Sequence, residues 1–134
     1  MMYGMKDACK KTGLTYEALK FYCNQGLVPH VKRDANNRRL FDDQDIAWIK
    51  SLLCLKSCGM SIQEIREYLD LGRLGPASIP RRRHMLEQKR DDLQKAAEKI
   101  RESIAYIDQK QQFFDDVLAG RTPYCSSLFP EGVR

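Results

Sequence analysis

A chain of 134 residues, 31% charged and 43% hydrophobic, lies in the ordinary globular range and is long enough for one compact domain. Its net charge of +5 is spread over both halves, which permits a nucleic-acid partner without specifying one. No apolar run approaches the ~18 residues of a membrane-spanning helix, and the N-terminus has no apolar core followed by a small-residue cleavage site; the expectation is a soluble cytoplasmic protein with no membrane partner.

Met5, Ala8 and Cys9 recur at helical spacing and predict a first helix over residues 5–11 with those side chains inward. Gly13 supplies a permissive turn, and Thr15 is placed to cap a second helix. Ala18, Leu19 and Tyr22 make the inner stripe of that helix, leaving Tyr16, Glu17, Lys20 and Phe21 outward. Gly26 stops it and Pro29 prevents its resumption. Two short helices joined at a Gly, the second with a polar and aromatic outer face, have the layout of a helix-turn-helix whose second helix enters a major groove.

Residues 30–41 read as a two-stranded ribbon, 31–33 and 38–41, around a turn at Asp34-Ala35-Asn36-Asn37. Lys32, Arg33, Arg38 and Arg39 concentrate positive charge on it. Alone, such a ribbon is an edge protected by charge; directly after a helix-turn-helix it is better explained as a wing that grips phosphate. Asp42, Asp43 and Asp45 place acids at the start of a third helix, where its dipole favours them. Ile46, Ile49, Leu52, Leu53 and Met60 form the core side, and Gly59 ends the helix. Ser61-Ile62-Gln63-Glu64 is a capping box opening a fourth helix over 65–69. Residues 72–80, with two Gly and two Pro, read as loop.

Between Pro80 and Gly120 there is no Gly or Pro, and Leu86, Leu93, Ile100, Ile107 and Phe114 recur every seven residues. Ala97, Ile104 and Leu118 widen the stripe. A helix over 81–119 would be ~58 Å long, at ~1.5 Å per residue, and its stripe exceeds any surface the preceding domain offers. It predicts a partner helix and a homodimer. The side chains would contribute gross burial on the order of 15–30 kcal/mol per dimer before ordering costs. The organisation is therefore mainly α: a winged helix-turn-helix DNA-binding domain (1–75), a linker (76–80), a long C-terminal dimerisation helix (81–119) and a short tail (120–134).

Five cysteines, Cys9, Cys23, Cys54, Cys58 and Cys125, are odd in number and irregular in spacing, which argues against a disulfide scaffold, and no CxxC pair points to a zinc knuckle. No metal ligand set, cofactor or catalytic residue is assigned. The only histidines, His30 and His84, are remote in sequence from Cys54, so a thiol enzyme lacks a base beside its nucleophile. On the third helix Ala47, Lys50, Ser51, Cys54 and Cys58 share the face opposite the Ile/Leu stripe. Lys50, one turn before Cys54, favours its thiolate.

The ordered motifs Lys11-Thr12-Gly13-Leu14, Ala18-Leu19-Lys20-Phe21-Tyr22, Gly26-Leu27-Val28-Pro29, Arg38-Arg39-Leu40-Phe41 and Gly59-Met60-Ser61-Ile62-Gln63-Glu64-Ile65 resemble the MerR family of bacterial transcriptional regulators over nearly the full length. The resemblance implies Thr15, Tyr16, Glu17, Lys20 and Tyr22 as recognition-helix residues and Arg39, joined by Arg38, as wing contacts. Lys20 stands where the family prefers Arg, so a forked contact to guanine becomes a point charge. Phe21 replaces a common Tyr, and Arg38 replaces the wing Tyr. Members dimerise through an antiparallel coiled coil, and activators twist an overlong promoter spacer until RNA polymerase engages both elements. The implied partners are thus double-stranded promoter DNA, a second copy of the chain and RNA polymerase.

Cys54-Leu55-Lys56-Ser57-Cys58-Gly59-Met60 and Ser78-Ile79-Pro80 with Arg82, Met85 and Leu86 resemble the aldehyde- and thiol-stress-responsive branch, which implies Cys54 as a sensor. Two other readings stay open on sequence alone. One is a metal-responsive regulator, for which His84 and Cys125 are meagre ligands. The other is a coiled-coil adaptor whose basic ribbon is merely solvated surface.

Overall fold

The computed structural model describes residues 1–126 and 128. In chain order the elements are α1 (Met5–Thr12), α2 (Tyr16–Asn24), β1 (Lys32–Arg33), β2 (Arg39–Leu40), α3 (Asp43–Ser57), α4 (Ile62–Arg73), a 3-10 turn over Gly75–Ser78, and α5 (Ile79–Leu118). Two compact units are distinguished, Met1–Asp91 and Asp92–Arg134.

In the first unit each short helix is fixed by its ends and one apolar stripe. Gly13 adopts φ 78°, and its N–H reaches the Cys9 carbonyl at 2.8 Å, closing α1 in a conformation that a side chain resists. Thr15 caps α2, its Oγ1 accepting the Ala18 N–H at 3.1 Å. Both α3 and α4 open with complete capping boxes, Asp42 with Asp45 and Ser61 with Glu64. The acids expected to favour the dipole of α3 thus also satisfy orphan N–H groups. Gly59, at φ 92°, lets the Met60 N–H turn back to the Leu55 carbonyl and separates α3 from α4.

The core has two adjoining parts. Tyr3, Ala8, Leu19, Val28, Phe41, Ile46 and Ile49 pack α1, α2 and α3 together with the ends of the ribbon. Leu27, Leu52, Met60 and Ile65 join α3 to α4, with Met85 of α5 against them. Tyr22, Trp48 and Leu53 touch both. Each fully buried Leu or Ile here contributes about 1.5–3 kcal/mol. Trp48 also donates its indole N–H to the Leu27 carbonyl at 2.6 Å, satisfying backbone that neither helix nor strand would.

Three sequence expectations need correction. The ribbon is shorter than predicted: β1 and β2 pair only Lys32 with Leu40 and Arg33 with Arg39, while Phe41 bridges to Tyr3 from outside the ribbon. The fourth helix runs over Ile62–Arg73 rather than 65–69, because the capping box starts it at once and Gly72 is accepted inside it. Residues 72–80 are not open loop. The 3-10 turn follows α4 directly, and α5 begins at Ile79 with Pro80 in its first turn, where a missing N–H costs nothing.

In the second unit α5 continues with Leu93, Ile100, Ile104, Ile107 and Phe114 all exposed. Past Leu118 the chain turns at Gly120, and the Arg121 guanidinium meets Asp116 at 2.8 Å. Residue 127 and residues 129–134 of the tail lie outside the described part.

Candidate nucleic-acid interface

The outer face of α2 is a continuous row of exposed side chains: Tyr16, Glu17, Lys20, Phe21 and Asn24. They are exposed because the opposite side is spent on packing, with Leu19 fully buried and Ala18, Tyr22 and Cys23 half-buried. Thr15 sits at the helix start with its hydroxyl oxygen already accepting an N–H, which leaves its proton free for an outside acceptor. Tyr22 does not join this face. It packs against both parts of the core, with the Phe21 ring edge-on at 5.8 Å between centroids. Tyr22 thus lies on the inner stripe expected for it, behind the exposed row.

The ribbon divides its four basic residues into two kinds. Lys32 is occupied within the fold: its Nζ lies 2.7 Å from Asp42 Oδ2, 3.4 Å from Asp45 Oδ2 and 3.0 Å from the His30 carbonyl. The Lys32 hydrogen bond, aided by the Asp45 backbone N–H, holds the Asp42 carboxyl down to about 2. The Asp42 contact raises Lys32 in turn. Arg33 donates to the Asn37 carbonyl at 2.8 Å and so braces the turn, in which Asn37 takes φ 61° and Asp34 Oδ1 accepts the N–H groups of Asn36 and Arg38.

Arg39 donates to Asn24 Oδ1 at 2.8 Å, which joins β2 to the last turn of α2. Arg38, at the ribbon's outer edge, is exposed, and its guanidinium has no ion-pair partner among the described residues. The side chains free to meet an anion on this surface are thus fewer than the sequence suggests. They are also better positioned, because neighbouring charges lock the ribbon.

Two contributors escaped the sequence reading. Asn24 lies one turn beyond Lys20 on the same row, and extending the outer stripe by four residues would have found it. Arg66 of α4 donates to both the backbone carbonyl and Oε1 of Gln25, at 2.8 and 2.9 Å, and pins the C-terminal end of α2. No pattern in the sequence signals that contact, since it spans 41 positions.

Family models agree with this geometry. The MerR HTH family regulatory protein model matches residues 3–71, and the MerR DNA-binding model matches residues 46–112. The chain belongs to the MerR family. It is a DNA-binding transcriptional regulator with a winged helix-turn-helix and a long C-terminal helix.

Among its relatives, an uncharacterized HTH-type transcriptional regulator of Haemophilus influenzae is 29% identical over 119 residues, spanning 89% of this chain and 88% of its own. The HTH-type transcriptional regulator AdhR of Bacillus subtilis is 34% identical over 87 residues, 65% of this chain and 62% of its own. The solved structure of HiNmlR, a MerR family regulator lacking the sensor domain and bound to promoter DNA, superposes with a TM-score of 0.75 at 28% identity. That match covers 89% of this chain and 90% of the other. No helix among the described residues is long and apolar enough to cross a membrane.

The Lys32–Asp42 contact has a measurable signature. A carboxyl lowered by folding stabilises the protein above its unfolded pKa of about 3.9, and that contribution is lost as pH falls toward the folded value. Asp42→Asn retains a capping oxygen but not the charge. Thermal melts should find it less stable than wild type near neutrality, with the difference shrinking between about pH 4 and about pH 2. A difference that stays constant across that window would show the ion pair to be energetically idle.

Proposed function

We propose that the protein acts as a homodimer on promoter DNA, inserting α2 of each copy into successive major grooves and bracing each ribbon against the flanking phosphates. The observation that carries this is the exposed row on α2 beside a ribbon already locked by Lys32 and Arg39. Tyr16, Glu17 and Lys20 stand at base edges, Thr15 meets a phosphate at the helix start, and Arg38 and Arg39 neutralise phosphates beside the groove. Tyr22 acts by holding α2 from behind. Two such units fixed at one spacing favour DNA that bends or twists to meet both, which is how sequence is read without contact and how RNA polymerase gains an aligned promoter.

Arg38→Ala should weaken binding to all duplexes and lower the salt slope by about one unit. Lys20→Ala should instead relax preference among sites by roughly 1–3 kcal/mol. Gel-shift titrations at several salt concentrations separate the two. Unchanged affinity, preference and salt dependence in both variants would make Lys20 and Arg38 solvated charges outside the DNA contact.

The dimer rests on α5. Leu86, Leu93, Ile100, Ile107 and Phe114 are all exposed, Ile100 by 60%, although they lie on one heptad seam. A seam so apolar calls for a second helix, and an antiparallel copy supplies the same residues in reverse order. Changing Ile100 and Ile107 together to Lys should give monomers in sedimentation and abolish operator binding. A monomeric wild type at micromolar concentration would rule out this assembly.

Cys54 is the candidate sensor. It is exposed on α3, one turn after the exposed Lys50, whereas burial pushes the Cys9 and Cys23 thiols up and keeps them in the unreactive form. Addition of the Cys54 thiolate to an electrophilic carbonyl forms a carbon–sulfur bond on the surface of α3, and the carbonyl oxygen takes a proton from solvent. Cys54→Ser should retain operator binding and lose the transcriptional response to aldehydes. A variant that responds as wild type does would make Cys54 a surface residue only.

A further inference from the structure

Within the first unit, α3, α4, the start of α5 and the segment leading into β1 line an open cleft of about 300 Å³. We propose that this cleft binds a small aromatic carboxylate, with Arg82 as the anion-binding residue. The volume lies at the lower end of the ~300–1,000 Å³ range of small-molecule sites, which suits a single ring.

The walls specify the ligand's chemistry. Trp48 from α3 and Tyr68 from α4 supply aromatic surface, and Gly72 leaves the floor without a side chain. Arg82, half-buried on α5, is held by Ser78 Oγ at 3.0 Å and the Gly75 carbonyl at 3.4 Å, with its guanidinium carbon 5.9 Å from the Tyr68 ring centroid. Among the described residues no carboxylate pairs with it, and these contacts use only part of its five-donor fork. A half-buried guanidinium oriented by neutral partners is prepared for an external carboxylate, which it can meet with two parallel hydrogen bonds. Arg73 at the rim makes only an exposed 3.4 Å contact with Asp70, so it adds positive potential rather than filling the cleft. Aromatic walls around one forked cation favour a ring bearing a single carboxylate over an uncharged aromatic or an apolar-poor anion.

An occupant would touch what sets the wing. The Trp48 indole N–H is bonded to the Leu27 carbonyl, and the carbonyl of His30, also in the cleft wall, accepts from Lys32 of β1. Ligand contacts with Trp48 and His30 therefore bear on the segment joining α2 to the ribbon.

Trp48 is the only tryptophan in the chain, so intrinsic fluorescence reads this cleft directly. The full chain should be titrated with benzoate, benzyl alcohol and acetate, and the affinities checked by calorimetry. Benzoate should give a saturable change at one site per chain, with benzyl alcohol and acetate at least about tenfold weaker. Arg82→Gln should weaken benzoate about tenfold or more, and Arg82→Lys should restore part of the loss. Gly72→Leu should block the site, because a Cβ at Gly72 meets only the Arg82 guanidinium at 3.8 Å and the helix tolerates the change. Circular dichroism melts of each variant confirm that the fold survives. No saturation at millimolar benzoate, an equal response to benzyl alcohol, or unchanged affinity in folded Arg82→Gln and Gly72→Leu would overturn the proposal.

Discussion

A nine-residue helix does not hold itself together in water, because nucleation costs more than so few hydrogen bonds return. Yet α2 must present five exposed side chains in fixed positions. Its order is imposed from outside, by Thr15 at one end, Leu19 in the core beneath, and Gln25 held by Arg66 at the other end. The Leu27 carbonyl, satisfied by Trp48, continues the restraint into the segment that feeds the ribbon. The rest of the first unit depends on this anchoring, since α1, α3 and α4 bury their stripes against the same few residues. Rigid support behind an exposed face is also what allows a small helix to select among DNA sites rather than adapt to all of them.

Charge is handled with similar economy. Asp42 caps α3 through one oxygen and holds Lys32 through the other, so a single carboxylate ends the ribbon and begins the helix. Such a contact is partly exposed and screened by salt, and its value lies in fixing geometry more than in raw stability. The consequence is a division of labour along four basic residues that look equivalent in sequence. Lys32 and Arg33 shape the ribbon, Arg39 links it to α2, and Arg38 is left facing outward.

The long helix poses the opposite problem. Its forty residues need little tertiary help to be helical, being rich in Glu, Gln, Lys, Arg and Leu, but its apolar seam stands exposed among the described residues. Its beginning packs at home, where Met85 meets the core and Lys89 reaches Glu64 at 3.0 Å. The same start of α5 carries Arg82 into the cleft beside Trp48. The element suited to join two copies therefore also forms a wall of the cleft near the ribbon.

Much of this was legible in the order of residues. Periodicity marks the inner stripes of α1, α2 and α3, Gly13 and Gly59 mark the turns, and the Ser61–Glu64 spacing marks a capped start, because each signal is local and acts within about one turn. The heptads of α5 and the MerR motifs belong to the same class, and with them the fold and the DNA-binding role. What the sequence could not decide is which charges are free. Lys32 and Arg38 are chemically near-equivalent six positions apart, and only the approach of Asp42 to one of them separates structure from function. Likewise, Arg66 on Gln25 and Trp48 on Leu27 bring together residues 41 and 21 positions apart. Local sequence determined the elements and their exposed faces; tertiary packing alone decided the partners, because a hydrogen bond between distant residues leaves no periodic trace in the chain.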